Sequence, residues 1–151
     1  MLTCGLNDVR SRYVKTEGDI RDIFESFKSK IEHIKVANRS ASIFYCPIIP
    51  TRSPVINKKT LYFNELVFRY IRNDSDSRLS TIHGFDMLLD HEMRLHKRYA
   101  VENDEIHLNS YGAGFVASCI KRCIRERRRT AHSGKIVSNI PYSSAVARSI
   151  H

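Results

Sequence analysis

Ala41-Ser42-Ile43-Phe44-Tyr45-Cys46, closed by Pro47 and Pro50, is the stretch on which the reading of the fold turns. It is rich in β-formers, and it ends at prolines, which cannot donate to a ladder, so it reads as a central strand followed by a loop through Pro54. On its N-terminal side, Ile20, Ile23, Phe24, Phe27, Ile31 and Ile34 recur at the helical period, with Lys28, Lys30, Glu32 and Lys35 on the other face. Thr16 and Asp19 have the spacing of a capping box at the start of that helix. On the C-terminal side, Asn57 suits the cap of a second helix whose apolar face is Leu61, Leu66, Val67, Tyr70 and Ile71, ending in the polar run Asn73 to Ser77.

Further out, Met1 to Gly5 reads as the end of a buried parallel strand, and Leu79 to Phe85 as a further strand. Residues 86–103 follow no period and predict a loop with a short helical turn. Phe115, Val116, Cys119, Ile120, Cys123 and Ile124 mark a third helix, while residues 129–151 predict a basic, polar, disordered tail. The alternation of strands and helices implies an α/β fold with a mostly parallel sheet and helices on its faces. With 151 residues, one domain over residues 1–128 is expected.

The hydrophobic share of 42% and charged share of 27% are ordinary for a globular chain. No run reaches the ~18 apolar residues of a membrane helix. Met1 to Gly5 does not have the form of a signal peptide, so a cytoplasmic location is the expectation if the chain is complete. The net charge of +9 is unevenly spread: six basic residues, Lys121, Arg122, Arg125, Arg127, Arg128 and Arg129, face one acid, Glu126. Such a cluster can make phosphate contacts with nucleic acid, but it suits better the solvated C-terminal end of a helix, where cations complement the dipole.

Cys4, Cys46, Cys119 and Cys123 all fall inside apolar segments, which predicts buried, reduced thiols. His91 and His96 miss the spacing that places two imidazoles on one helix face, so no metal site is expected there, and no cofactor is called for.

Two blocks carry candidate chemistry. Gly5-Leu6-Asn7-Asp8 follows the first strand, where glycine permits a tight exit and the Asn7 amide can donate to a ligand oxygen. Asp104-Glu105-Ile106-His107 precedes the third helix, and a carboxylate three residues before a histidine can reach its Nδ1–H and leave Nε2 as base. Each alone is a common turn or cap.

Together, in this order, with Tyr45 to Arg52 and Asn64-Glu65-Leu66 between them, the blocks resemble the SGNH (GDSL-like) hydrolase family over residues 1 to 128. The resemblance implies a three-layer α/β/α, flavodoxin-like fold truncated at its N-terminus, and hydrolysis of a carboxylic ester. It implies that Asn7 is an oxyanion-hole donor, that His107 is the base held by Asp104, and that Gly5 and Asp8 support the turn. The family's serine lies in a G-D-S block, which this sequence does not contain; Gly18-Asp19-Ile20 lacks the serine and opens a helix. The expectation is therefore an inactive fragment or pseudoenzyme, with an uncovered sheet edge prone to self-association. A small ester would be its substrate only once the missing segment is supplied. The alternative is a non-catalytic SGNH-like module that binds RNA or a protein partner, and a flavodoxin-like fragment with coincidental blocks also stays open.

Overall fold

The computed structural model describes residues 6–133. The expected strand at Met1 to Gly5, with Gly5 and Cys4, lies outside the described residues, as does the chain after Ser133.

Among the described residues, four helices and two short strands form the frame: α1 (Leu6–Arg10), α2 (Glu17–Ala37), β1 (Ile43–Tyr45), α3 (Pro54–Asn73), β2 (Leu79–Thr81) and α4 (Ser110–Ser133). Between β2 and α4 the chain makes two 3-10 turns, Phe85–Leu88 and Lys97–Tyr99. The strands pair in parallel, with Ile43 opposite Leu79 and Tyr45 opposite Thr81. A mixed helix and strand fold with a two-stranded parallel sheet is therefore established. No helix among the described residues is long and apolar enough to cross a membrane.

α2 begins where its sequence predicts. Thr16 Oγ1 accepts from the Asp19 N–H at 3.1 Å, and Asp19 Oδ2 accepts from the Thr16 N–H at 2.8 Å. The reciprocal box satisfies two donors that the first helical turn leaves unpaired. Ile20, Phe27 and Ile31 are buried along its inner face. At its other end Lys35 is buried with its ammonium bonded to Asp74 and to Glu32, joining α2 to the end of α3.

α3 differs from its expected start. Ser53 is the N-cap and Pro54 the first helical residue, where the fixed φ of proline suits the helix and its missing N–H costs nothing. Asn57 is not the cap but a buried residue one turn in. The buried stripe is also displaced: Thr60, Phe63, Asn64, Val67, Phe68 and Ile71 point inward, and Leu61 and Leu66 are half-buried. Three polar side chains, Asn57, Thr60 and Asn64, occupy that buried face, which hides its period from an apolar count.

Apolar side chains gather in two clusters related by the strand pair. The first joins Val9 of α1, α2, α3, Ile43, Tyr45 and Leu79. The second joins Cys46, Ile82, Phe85, Leu88, Leu95, Tyr99, Cys119 and Cys123, with Phe44 packed against it. Phe44 and its neighbours Ile43 and Tyr45 thus serve different clusters, as the alternating side chains of a strand dictate. Cys46, Cys119 and Cys123 are buried free thiols, and burial pushes the Cys46 thiol up to about 11.

The C-terminal boundary moves. α4 runs on to Ser133, past the expected start of a tail at residue 129, because the run to Ser133 contains neither proline nor a glycine beyond Gly114. Its N-terminus is capped by Asn109, whose Oδ1 accepts from the Gly112 N–H at 2.9 Å. Gly112 is required here: a Cβ would lie 2.5 Å from the Tyr99 carbonyl oxygen.

Candidate functional site

The Asp104 block forms a closed local unit. Asp104 Oδ1 accepts from the N–H groups of Ile106 at 2.7 Å and His107 at 2.9 Å, and Oδ2 meets His107 Nδ1 at 2.7 Å. The backbone N–H of His107, then its ring, then the N–H of Ile106 hold the Asp104 carboxyl down at about 2. An ionised carboxylate only accepts, so the proton of that third bond belongs to Nδ1, and Nε2 of the neutral ring carries a lone pair. The His107 side chain is 71% exposed and that of Asp104 32%. An oriented imidazole facing solvent is able to take a proton from a group brought to it.

The surrounding chain fixes this unit by backbone bonds. His107 O accepts from the Val101 N–H at 3.0 Å, and Ala100 bridges Leu108. The Asn109 amide donates to the carbonyls of Arg98 at 2.9 Å and Ala100 at 3.0 Å. Arg52, just before α3, donates its N–H to Glu105 O at 2.6 Å. Its guanidinium donates to Leu95 O at 2.9 Å.

Two asparagines hold the segment that reaches Arg52. Asn64 Oδ1 accepts from the Tyr45 hydroxyl at 2.7 Å and the Ile48 N–H at 3.0 Å, while Nδ2 donates to Ile48 O at 3.0 Å. Asn57 Oδ1 accepts from the Thr51 N–H at 2.6 Å and from its hydroxyl at 3.0 Å. Its Nδ2 donates to Thr51 O at 2.7 Å and Met93 O at 2.8 Å. Both asparagines are nearly fully buried, and every polar atom of their amides is used. Their spacing of seven residues on one helix face, inside an apolar stripe, is the signal that sequence reading missed. The Arg52 contacts had no such signal.

Of the other site residues, Asn7 and Asp8 lie exposed on α1. Leu6 and Val9 on either side pack into the first cluster, whereas Leu108 next to His107 packs into the second. No hydrogen bond joins Asn7 to His107 among the described residues. The segment around α3's start bonds separately to the chain after α1 and to the chain before His107. Lys59 of α3 bonds to the Val14 carbonyl beyond α1, and Arg52, seven residues earlier, bonds to Glu105. That segment follows the carboxyl end of β1, where parallel sheets place their working loops.

No protein-family model, curated protein or solved structure matches this chain.

Proposed function

We propose that the chain carries the base-and-acid part of an SGNH-type ester hydrolase, and that it does not turn over esters without a serine supplied from outside this sequence. The observation that carries the reading is the Asp104–His107 pair, in which an ionised carboxylate fixes the imidazole tautomer and leaves Nε2 toward solvent. In this reading His107 Nε2 takes the proton of the attacking hydroxyl, Asp104 steadies the imidazolium that forms, and Asn7 donates to the developing oxyanion. Gly5 and Asp8 are the supporting residues of Asn7 in the same reading.

The finer architecture belongs to the same proposal. Strands covered on one face by α1, α2 and α3 and on the other by α4 support a three-layer α/β/α arrangement.

The test uses short-chain p-nitrophenyl esters. The chain alone is expected to show no turnover, and the chain expressed with the reading frame that precedes Met1 to turn esters over. His107→Ala should then remove activity by several orders of magnitude, and Asp104→Ala by a smaller but large factor. Turnover by the chain alone that His107→Ala abolishes would defeat the claim of a missing nucleophile. An upstream frame without a G-D-S block would defeat the hydrolase reading itself.

A further inference from the structure

We infer that one side of α4 is a track for single-stranded nucleic acid, with Tyr111 stacking an unpaired base and Arg122, Arg125 and Arg129 meeting the phosphates that follow. None of these residues belongs to the Asp104–His107 pair, so the inference stands whether or not the chain takes part in ester hydrolysis.

The helix itself sets the arrangement. At 3.6 residues per turn, Tyr111, Ser118, Arg122, Arg125 and Arg129 fall within an arc of about 60°. All five are exposed. Gly114 and Ser118 lie between the ring and the cations on this face, and Phe115 beside them is half-buried and turned in against Tyr99. Tyr111 to Arg122 spans about 16 Å of helix axis. Arg127 is set apart from the track, since its guanidinium bonds to the Ser77 carbonyl. Arg122, Arg125 and Arg129 have no ion-pair partner among the described residues.

The aromatic end is built rather than incidental. Tyr111 is 63% exposed, yet its ring stacks on the buried Tyr99 at 5.4 Å between centroids and 17° between planes. Tyr99 is backed by Phe115 and by the Arg98 guanidinium, 4.5 Å from its centroid. The close approach of α4 at Gly112 and the Asn109 bonds to Arg98 and Ala100 fix the first turn against Tyr99. A ring held in this way offers a flat outer face to a ligand with little further ordering. Every base has a π-face that such a ring accepts without regard to sequence.

The same features disfavour a lipid surface. A helix that binds in the membrane interface needs bulky apolar side chains beside its cations. Between Tyr111 and Arg122 the exposed positions of this face are Gly114 and Ser118, and the one bulky side chain there, Phe115, is half-buried and engaged with Tyr99. A duplex, for its part, would use the cations and leave the Tyr111 ring without an unpaired base to stack on.

The experiment is fluorescence anisotropy of the full chain with labelled oligo(U) and oligo(dT) of about a dozen nucleotides, titrated with salt. Three phosphate contacts on a single strand predict a log–log salt slope of about −2. The double variant Arg122→Gln/Arg125→Gln should reduce that slope to less than half. Tyr111→Ala should weaken binding about tenfold with the slope unchanged, and Tyr111→Phe should restore it. A slope near zero, or a slope unaltered in the double variant, would remove the phosphate contacts. A duplex bound as tightly as the single strand, with Tyr111→Ala without effect, would remove the stacking role. Preference for phosphatidylserine vesicles over the oligonucleotides would assign the face to a membrane instead. Thermal unfolding of each variant at the parent temperature separates lost binding from lost structure.

Discussion

The two apolar clusters on either side of the strand pair are built in opposite ways. The first is made by regular elements: α2 and α3 lay interlocking aromatic rings over Tyr45, with Phe27 5.5 Å from Tyr45 and 5.7 Å from Phe63 in edge-to-face geometry. The second has one helix, α4, with Phe44 of β1 against it, and otherwise two 3-10 turns, isolated bridges and three buried thiols. Its irregular part is held by side chains that bond to backbone, namely Arg52, Asn57, Asp90, Asp104 and Asn109. The first cluster stabilises by area and shape, the second by particular polar bonds. That difference explains why both the Asp104–His107 pair and the Tyr99 ring that underlies Tyr111 occur on the second side. Irregular chain fixed by local hydrogen bonds presents side chains at angles that helices and strands do not offer.

The largest expected effect lies in the first cluster. Phe63 is fully buried against Phe27, and Phe63→Ala removes both its area and its ring contact. A loss of about 3–5 kcal/mol follows from large-to-small substitution at such a site. Urea unfolding that showed less than ~1 kcal/mol would mean that this cluster is not the centre of stability. The Asp104–His107 unit makes none of its bonds to Phe63, so its geometry should survive in the folded fraction.

A smaller loss with a wider structural effect is expected at Asn57. Asn57→Ala leaves the Thr51 N–H, the Thr51 carbonyl and the Met93 carbonyl without this partner, at about 1–3 kcal/mol for a buried polar group left unsatisfied. Hydrogen exchange should quicken over residues 88–96 and at Arg52, because Leu95 N–H bonds to Thr51 O and Arg52 to Leu95 O. Unchanged protection there would show that the 3-10 region stands without the asparagine.

How much of this was legible follows the same division. The helix over 17–37 was readable from Thr16, Asp19 and six apolar residues at one period, and the strand over 43–45 from its β-formers and the prolines after it. Asn57 was misread because an asparagine near a helix start usually caps it; here Ser53 and Pro54 begin the helix and free the amide to bond across 36 residues to Met93. The Asp104–His107 bond was legible because three residues of separation confine it to one turn of chain. Its setting was not, since the Arg52 N–H to Glu105 carbonyl bond joins backbones and leaves no trace in residue type. The stack of Tyr111 on Tyr99 likewise depends on where Gly112 lets α4 approach.

The smallest effect sharpens the comparison through pH. His83 follows Ile82 of the second cluster, its N–H 3.5 Å from Cys123 Sγ, and burial lowers its pKa from 6.5, with Arg122 adding to the shift and Glu126 and Asp86 opposing it. The unfolded chain therefore binds a proton at a higher pH than the folded one. Stability attributable to this ring is complete above the unfolded value of 6.5. It is lost as pH falls from there through the folded pKa, because protonation then favours the unfolded state. The first cluster has no buried imidazole among its members, and its exchange protection should stay level over that window. Exchange at the Cys119 and Cys123 turns of α4 should rise as pH falls below 6.5, after correction for the intrinsic pH dependence of exchange, and His83→Gln should flatten the response. A response unaltered in that variant would place the pH sensitivity elsewhere and take away the electrostatic distinction between the two clusters.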